Sequence, residues 1–277
     1  MKKTRRALAL LLSALLLLTL CACTKKEPAT PETPETPTTP ETPTTPTTPT
    51  APDASAGIEC TENKLEKTLS DDQGHELIKI SLSVPAPKGL DGAKQYYEDW
   101  LKDAEYYCSQ DLDAAKAAYA DAASLGSAFV PYTYESDYQL LRNDGKLLSV
   151  YRTYYQNTGG AHPNIAYMAE TFVVSTGARL VLDDVFTVAA DAYLPQVMEQ
   201  VKPMMDQKIA EYGSDPYYEG VRDQLTTVYD PQNFALTDDS LLVFFSPYDI
   251  APYVAGVQEF YIPFNALSGI LDSQWTA

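Results

Sequence analysis

Only two histidines, His75 and His162, occur in the 277 residues, which excludes a zinc site built from several histidines. Also missing are the Gly-x-Ser-x-Gly turn of α/β-hydrolases, a phosphate-cradling loop and the His-Glu-x-x-His pair of metalloproteases. Positive charge is scarce as well: 20 Lys+Arg stand against 38 Asp+Glu. Four of the basic residues and none of the acidic ones precede Cys23, so a chain beginning there carries 16 against 38, a charge of −22. Such a body repels nucleic acid and attracts cationic proteins or divalent ions from a distance, although acidity of this size also serves plain solubility. Carboxylates are abundant, yet neither Asp183-Asp184 nor Asp238-Asp239 has the spaced oxygen ligands of a calcium loop, and both read as solvated turn residues. No metal, no cofactor and no catalytic set is expected, so the chain reads as a non-enzyme.

Cysteine is limited to four residues, two of them in the tetrad Leu20-Cys21-Ala22-Cys23. Residues 1–22 begin with Lys2, Lys3, Arg5 and Arg6 and continue with an apolar run from Ala7 to Leu20. That run is shorter than the ~20 residues of a comfortable membrane span, and the pattern is an export signal of lipoprotein type. The small Ala22 makes Cys23 the residue expected to carry lipid, whereas bulky Leu20 disfavours Cys21. The expected location is therefore the outer face of the cell membrane, held through a lipid anchor. Cys60 and Cys108 remain as a candidate disulfide pair in an exported domain. Cys108 lies on the apolar stripe of a helical pattern, where a free thiol also packs well as a small hydrophobe.

Residues 23–57 consist largely of Thr, Pro and Glu in a repeating PETP/PTTP pattern, without the apolar periodicity a core requires. They read as a disordered tether whose prolines favour an extended conformation, reaching on the order of 100 Å at ~3.1 Å per residue. Beyond it, strands are expected at Ile58–Leu69 and Glu76–Val84 around Asp71-Asp72-Gln73-Gly74. A long helix capped by Asp91 follows to about Ser124, with Tyr97, Trp100, Leu101, Ala104, Tyr107, Cys108, Leu112, Ala115 and Tyr119 as its core stripe and Gly126 as its stop.

A second hairpin is expected from Ser127–Leu141 and Lys146–Tyr155 around Arg142-Asn143-Asp144-Gly145. It leads into Tyr151–Phe186, which reads as three strands turned by Gly159-Gly160 and Ser175-Thr176-Gly177. A helix should then run from Asp191 to Tyr212, kinked or split at Pro203, with a short one at Tyr217–Val228. Asn233–Leu236 and Leu241–Phe245 form a further hairpin, and the unbroken Leu-Leu-Val-Phe-Phe run marks a strand buried on both faces. Phe260, Ile262 and Phe264 alternate as a closing strand. The fold class is α+β, with antiparallel sheets packed with a few helices. The body divides into residues 58–145 and 146–277.

Two places invite a ligand. The Ser246–Gly256 loop, SPYDIAPYVAG, combines two prolines with aromatic and β-branched neighbours into a stiff exposed surface, where Tyr248, Pro252 and Tyr253 are candidate contacts. His162, set between a glycine turn and Pro163, is the other candidate, with a ring fixed to the backbone as its structural alternative.

These residues fall in a familiar order. Tyr154-Tyr155, Gly159-Gly160-Ala161-His162, Thr176-Gly177 with Leu180, Leu182, Asp183 and Phe186, Asn233-Phe234, then Pro247 to Tyr253 and Gly256 together resemble a domain of unknown function. That domain occurs in the extracytoplasmic part of the anti-sigma factor RsiV and near the N-terminus of some peptidoglycan deacetylases of the PdaC type. The resemblance covers about Tyr151–Leu271, and residues 58–145 look like the companion domain that usually precedes it. It implies an α+β fold and, through RsiV, binding of a lysozyme. Neither a cytoplasmic segment for a sigma factor nor a deacetylase domain is expected, which leaves the expectation of a lipid-anchored domain that binds a cationic lysozyme-like protein. The alternative is a cell-wall glycan-binding module in which the same tyrosines stack on sugars.

Overall fold

Asp71 makes the first hairpin, accepting the backbone N–H groups of Gln73 and His75 while Gly74 turns the chain at φ +87°. In the computed structural model, which describes residues 57–276, β1 (Cys60–Ser70) and β2 (Glu76–Pro87) flank this turn and pair antiparallel. The signal, Cys23 and nearly all of the tether lie outside the described residues. Among the described residues no helix is long and apolar enough to cross a membrane.

The long helix expected after β2 is two helices, α1 (Asp91–Gln110) and α2 (Leu112–Ser124). Asp111 breaks it, because its carboxylate is taken by the Tyr134 hydroxyl of the sheet below. Asp91 is the first helical residue instead of the cap, and Leu90 precedes it without a side-chain cap bond. The C-terminal stop is as expected: Gly126 takes φ +65°, and the N–H of Ser127 reaches back to the Ala122 carbonyl. Tyr97, Leu101, Ala104, Cys108 and Ala115 are buried, while Tyr107 is exposed.

The helix pair has a topological consequence. Parallel neighbours in a sheet need a crossover connection, and α1–α2 supplies one, so β3 (Tyr132–Asn143) runs parallel to β2. The remaining pairs, β3 with β4 (Leu147–Asn157) and β4 with β5 (Asn164–Val173), are antiparallel. The result is a five-stranded sheet in the order β1-β2-β3-β4-β5, antiparallel at every pairing but β2–β3, in keeping with the expected α+β class of antiparallel sheets packed with a few helices. The turn at Gly145, where the sequence reading divides the body, joins two neighbouring strands of this sheet.

Leu180–Phe186 does not form the expected third strand of its stretch. The chain makes isolated bridges at its two ends, Arg179 opposite Phe172 just before it and Phe186 opposite Leu271, and between them winds into a 3-10 turn at Leu182–Val185. Asp184 accepts the Val181 N–H and Asp183 accepts the Tyr193 hydroxyl, bonds that a straight strand would forgo.

Of the kink or split expected at Pro203, the split does not occur: helix α3 (Ala190–Tyr212) continues through it. Pro203 and Glu199, the residue whose carbonyl the proline leaves without a donor, are both exposed, so water can take that bond. The expected Tyr217–Val228 helix shrinks to a 3-10 turn at Val221–Asp223 and a single α-turn, α4 (Leu225–Val228), after Gly220 at φ +74°.

A second, antiparallel sheet contains β6 (Phe234–Leu236), β7 (Ser240–Phe245) and β8 (Gln258–Pro263). All six residues of β7 are buried, as its apolar run predicts. Leu242 and Phe244 pack against Tyr151 and Ala169 of the first sheet, whereas Leu241, Val243 and Phe245 share a core with Val197, Val201 and Met205 of α3. The layers are thus α1–α2, sheet, sheet, α3. Burying each such aliphatic or aromatic side chain contributes about 1.5–3 kcal/mol.

Candidate functional site

Two loops bring three of the candidate residues together. The β4–β5 turn reverses at Gly159, φ +79°, and carries His162. The second loop opens with a tight turn, the Asp249 N–H donating to the Ser246 carbonyl at 3.0 Å, with Pro247 and Tyr248 at its centre. Tyr248 has φ +78°, the one described non-glycine residue in the left-handed region. A turn of this kind, with proline first and a positive φ second, ordinarily places glycine where Tyr248 stands.

His162 and Tyr253, distant in sequence, stack with ring centroids 3.9 Å apart and planes 20° from parallel. The Pro163 carbonyl can only accept, so the His162 Nδ1–H donates to it at 2.9 Å, and the Tyr253 hydroxyl donates to the same oxygen at 2.7 Å. In the neutral ring Nε2 is then left to accept from the Tyr248 hydroxyl, 3.1 Å away. One backbone carbonyl therefore holds two aromatic rings, and the third leans on them. Pro252 is exposed at the foot of the cluster and accepts the Ala255 N–H through its carbonyl.

Stiffness and exposure are divided along the second loop. Ile250 and Ala251 are buried, and the Ile250 carbonyl accepts the Tyr218 N–H, so the middle of the loop is an anchor where exposure was expected. Tyr248 remains 55 % exposed and Val254 92 %. Asp249, which accepts the Ser246 N–H, has its pKa raised by burial.

The candidate disulfide is absent. Cys60 and Cys108 are both free, and burial pushes both thiols up. Cys108 packs as a small hydrophobe, its Sγ 3.5 Å from the Tyr154 hydroxyl.

A further cluster escaped the sequence reading. Arg152 and Glu170 form a fully buried ion pair, and the carboxylate also accepts from the hydroxyls of Tyr96 (3.0 Å) and Tyr97 (3.4 Å). The guanidinium carbon lies 4.5 Å from the Trp100 ring centre. The available signal was a charge inside the aromatic strand sequence Val150-Tyr151-Arg152-Thr153-Tyr154. Nearby, between α1 and the sheet, a cleft of about 650 Å³ is lined by Trp100, Asp103, Tyr107, Asp111, Tyr154 and Gln156 among others.

Comparison with known proteins gives a consistent family picture. Residues 59–165 match the family model described as deacetylase PdaC, and residues 183–265 match the protein family of unknown function DUF3298. Immunogenic protein MPT64 of Mycobacterium tuberculosis is 25% identical over 199 residues, covering 71% of this chain and 83% of that protein. Anti-sigma-V factor RsiV of Bacillus subtilis is 27% identical over 139 residues, 49% of this chain and 47% of RsiV. An M. tuberculosis protein named esterase Rv3036c is 27% identical over 122 residues, 43% of this chain and 50% of that one. Among solved structures, a DUF3298-family protein from Bacteroides fragilis superposes with a TM-score of 0.57 at 18% identity. That likeness covers 78% of this chain and 94% of the other, and it concerns the fold alone. The RsiV- and PdaC-like domain family expected from the ordered residue set is thereby shown.

Proposed function

We propose that this chain, in which a PdaC-like segment precedes a DUF3298 segment, is an extracytoplasmic binding protein, lipid-anchored through Cys23, that captures a cationic lysozyme-like enzyme at the His162–Tyr248–Tyr253 cluster. The observation that carries this reading is the cluster itself: a rigid, partly exposed aromatic group on two joined loops is what an interface anchor requires. Charge supports it, since a −22 body accelerates encounter with a basic partner. The similarity to RsiV supports an extracytoplasmic setting.

Surface plasmon resonance with lysozyme at low salt tests the reading. Binding at micromolar concentration, weakened by Tyr253→Ala, is the expected result, and absence of binding rejects the lysozyme ligand. For the anchor, Cys23→Ala should release the protein from membranes and abolish fatty-acid labelling. The protein is proposed to act by binding alone, so p-nitrophenyl ester turnover above the buffer rate would move it toward the esterase among its relatives.

A second reading, a glycan-binding module, is favoured by the cleft beside Trp100 and Tyr107, whose aromatic faces and carboxylates suit a sugar ring and its hydroxyls. Purified peptidoglycan in place of lysozyme separates the two.

A further inference from the structure

Strand β5 lies at the end of the five-stranded sheet, and half of its outer edge is open. Alternate residues of an edge strand direct their N–H and C=O groups to opposite sides. The Val174 N–H donates to the Lys146 carbonyl on the β4 side, so even-numbered residues face β4 and odd-numbered ones face outward. At Thr171 and Val173 the outward groups meet residues 178–180: Leu180 N–H donates to the Thr171 carbonyl and Val173 N–H to the Ala178 carbonyl, both at 2.8 Å. The chain then winds into the Leu182–Val185 turn and leaves the strand. The outward backbone groups of Tyr167 and Ala169 have no partner among the described residues.

That open edge is recessed. It lines a cavity of about 460 Å³ together with Arg179, Leu180, Leu194 and Phe234 among others. Proteins usually blunt an unpaired edge with charge, proline or a cover. Here the recess keeps off a second sheet edge, which would need a flat approach, yet admits a single extended chain. Arg179 is the one cation in the lining, resting 5.3 Å from the Tyr96 ring centre and donating to its hydroxyl. No ion pair joins it to a carboxylate among the described residues, whereas Glu170 is held by Arg152 and Asp183 by Tyr193. The chain's own tether is a poor occupant, since its recurrent prolines lack the N–H donors a strand ladder uses.

We propose that the groove binds an extended peptide segment of a partner protein, which adds as a strand to β5 at Tyr167 and Ala169 and places an acidic side chain on Arg179 and an apolar one against Leu194 and Phe234. Main-chain hydrogen bonds supply affinity in this mode, and pockets for alternate side chains supply specificity. The site is separate from the His162–Tyr248–Tyr253 cluster and does not depend on the identity of that cluster's ligand.

The test uses random dodecapeptides displayed on phage, panned against the immobilised full-length chain, with the selected sequences synthesised as probes. Expected probes carry an acidic residue near apolar ones and slow amide exchange at Tyr167 and Ala169. Ala169→Pro removes only an outward donor, a position where an edge strand tolerates proline, and should weaken probe binding about tenfold, the equivalent of roughly one to two hydrogen bonds. Arg179→Gln should weaken it several-fold, and Tyr248→Ala should leave it unchanged. If Ala169→Pro does not fold, Arg179→Gln and the exchange pattern decide the matter. The proposal is overturned if no peptide is enriched, if probes bind without protecting residues 167 and 169, or if they bind a folded Ala169→Pro or Arg179→Gln as they bind wild type. Loss of lysozyme binding in Tyr248→Ala with probe binding intact would bear on the loop cluster alone.

Discussion

Arg152 on β4 and Glu170 on β5 are joined by two hydrogen bonds, Nη2 to Oε1 at 2.6 Å and Nε to Oε2 at 3.1 Å, with both side chains shut off from solvent. Burial works against the guanidinium charge, but the Glu170 carboxylate outweighs it and holds Arg152 above its ordinary pKa. Its remaining nitrogen, Nη1, has no hydrogen-bond partner, and the cation lies against the rings of Trp100 and Tyr97. The pair therefore ties α1 to the sheet through one charged centre.

Removing one partner leaves a buried charge uncompensated, a loss of about 3–5 kcal/mol, while replacing both with apolar residues of similar volume is close to neutral. Glu170→Gln should lower the urea midpoint sharply, and Arg152→Met with Glu170→Leu should recover most of it. A Glu170→Gln variant as stable as wild type would show that the rings alone hold the cation.

Asp144 contributes to the acid limb of stability. Burial pushes its pKa up, but the N–H groups of Leu147 and Lys146 and the Arg142 guanidinium outweigh this and hold it below the ordinary carboxylate value. A depressed folded pKa contributes stability that is complete above the unfolded value of about 3.9 and is lost as pH falls through the folded one. Asp144→Asn should accordingly be less stable near neutrality and lose less stability on acidification. Urea midpoints at about pH 7 and about pH 3 check the sign, and parallel pH profiles for both proteins would contradict it.

The free thiols give a chemical prediction. With Cys21 and Cys23 replaced by serine, Cys108 should resist maleimide in the folded protein, Cys60 should react slowly, and both should react at once in denaturant without reductant. Thiols that appear only after reduction would mean that the pair is bonded.

What could be read from the sequence follows the range of each signal. Turn chemistry is local, so Asp71–Gly74, Arg142–Gly145 and Gly126 fall where expected. The all-apolar β7 announces its double burial for the same reason. Non-local decisions were hidden: Tyr134 breaks the long helix by holding Asp111, and Tyr193 helps to bend Leu182–Val185 out of strand geometry by holding Asp183. The candidate site was legible as two separate places, the His162 turn and the Tyr248–Tyr253 loop. Their meeting on the Pro163 carbonyl was not, because it depends on how the second sheet lies against the first.

Tyr248 offers a test in which stability and binding move in opposite directions. Its φ of +78° puts a bulky side chain where a turn begun by Pro247 ordinarily has glycine, and such a conformation costs on the order of 1 kcal/mol. The strain persists because Ile250 and Ala251 are buried just beyond and the Tyr248 hydroxyl is held by His162 Nε2. Replacement by glycine relieves the strain and loses one partly exposed hydrogen bond. Tyr248→Gly should therefore unfold no earlier than wild type and up to a few degrees later, whereas Tyr248→Ala, which keeps the strain and loses the ring, should unfold earlier. Under the proposed function, lysozyme binding should weaken about thirtyfold in both, the equivalent of roughly 2 kcal/mol for loss of an interface anchor. Calorimetry and plasmon resonance on the two variants read the outcomes separately. If glycine destabilises as much as alanine, the tyrosine is at its conformational optimum and the strain argument fails. If both bind like wild type, the exposed ring is not a contact and the interface lies elsewhere on the surface.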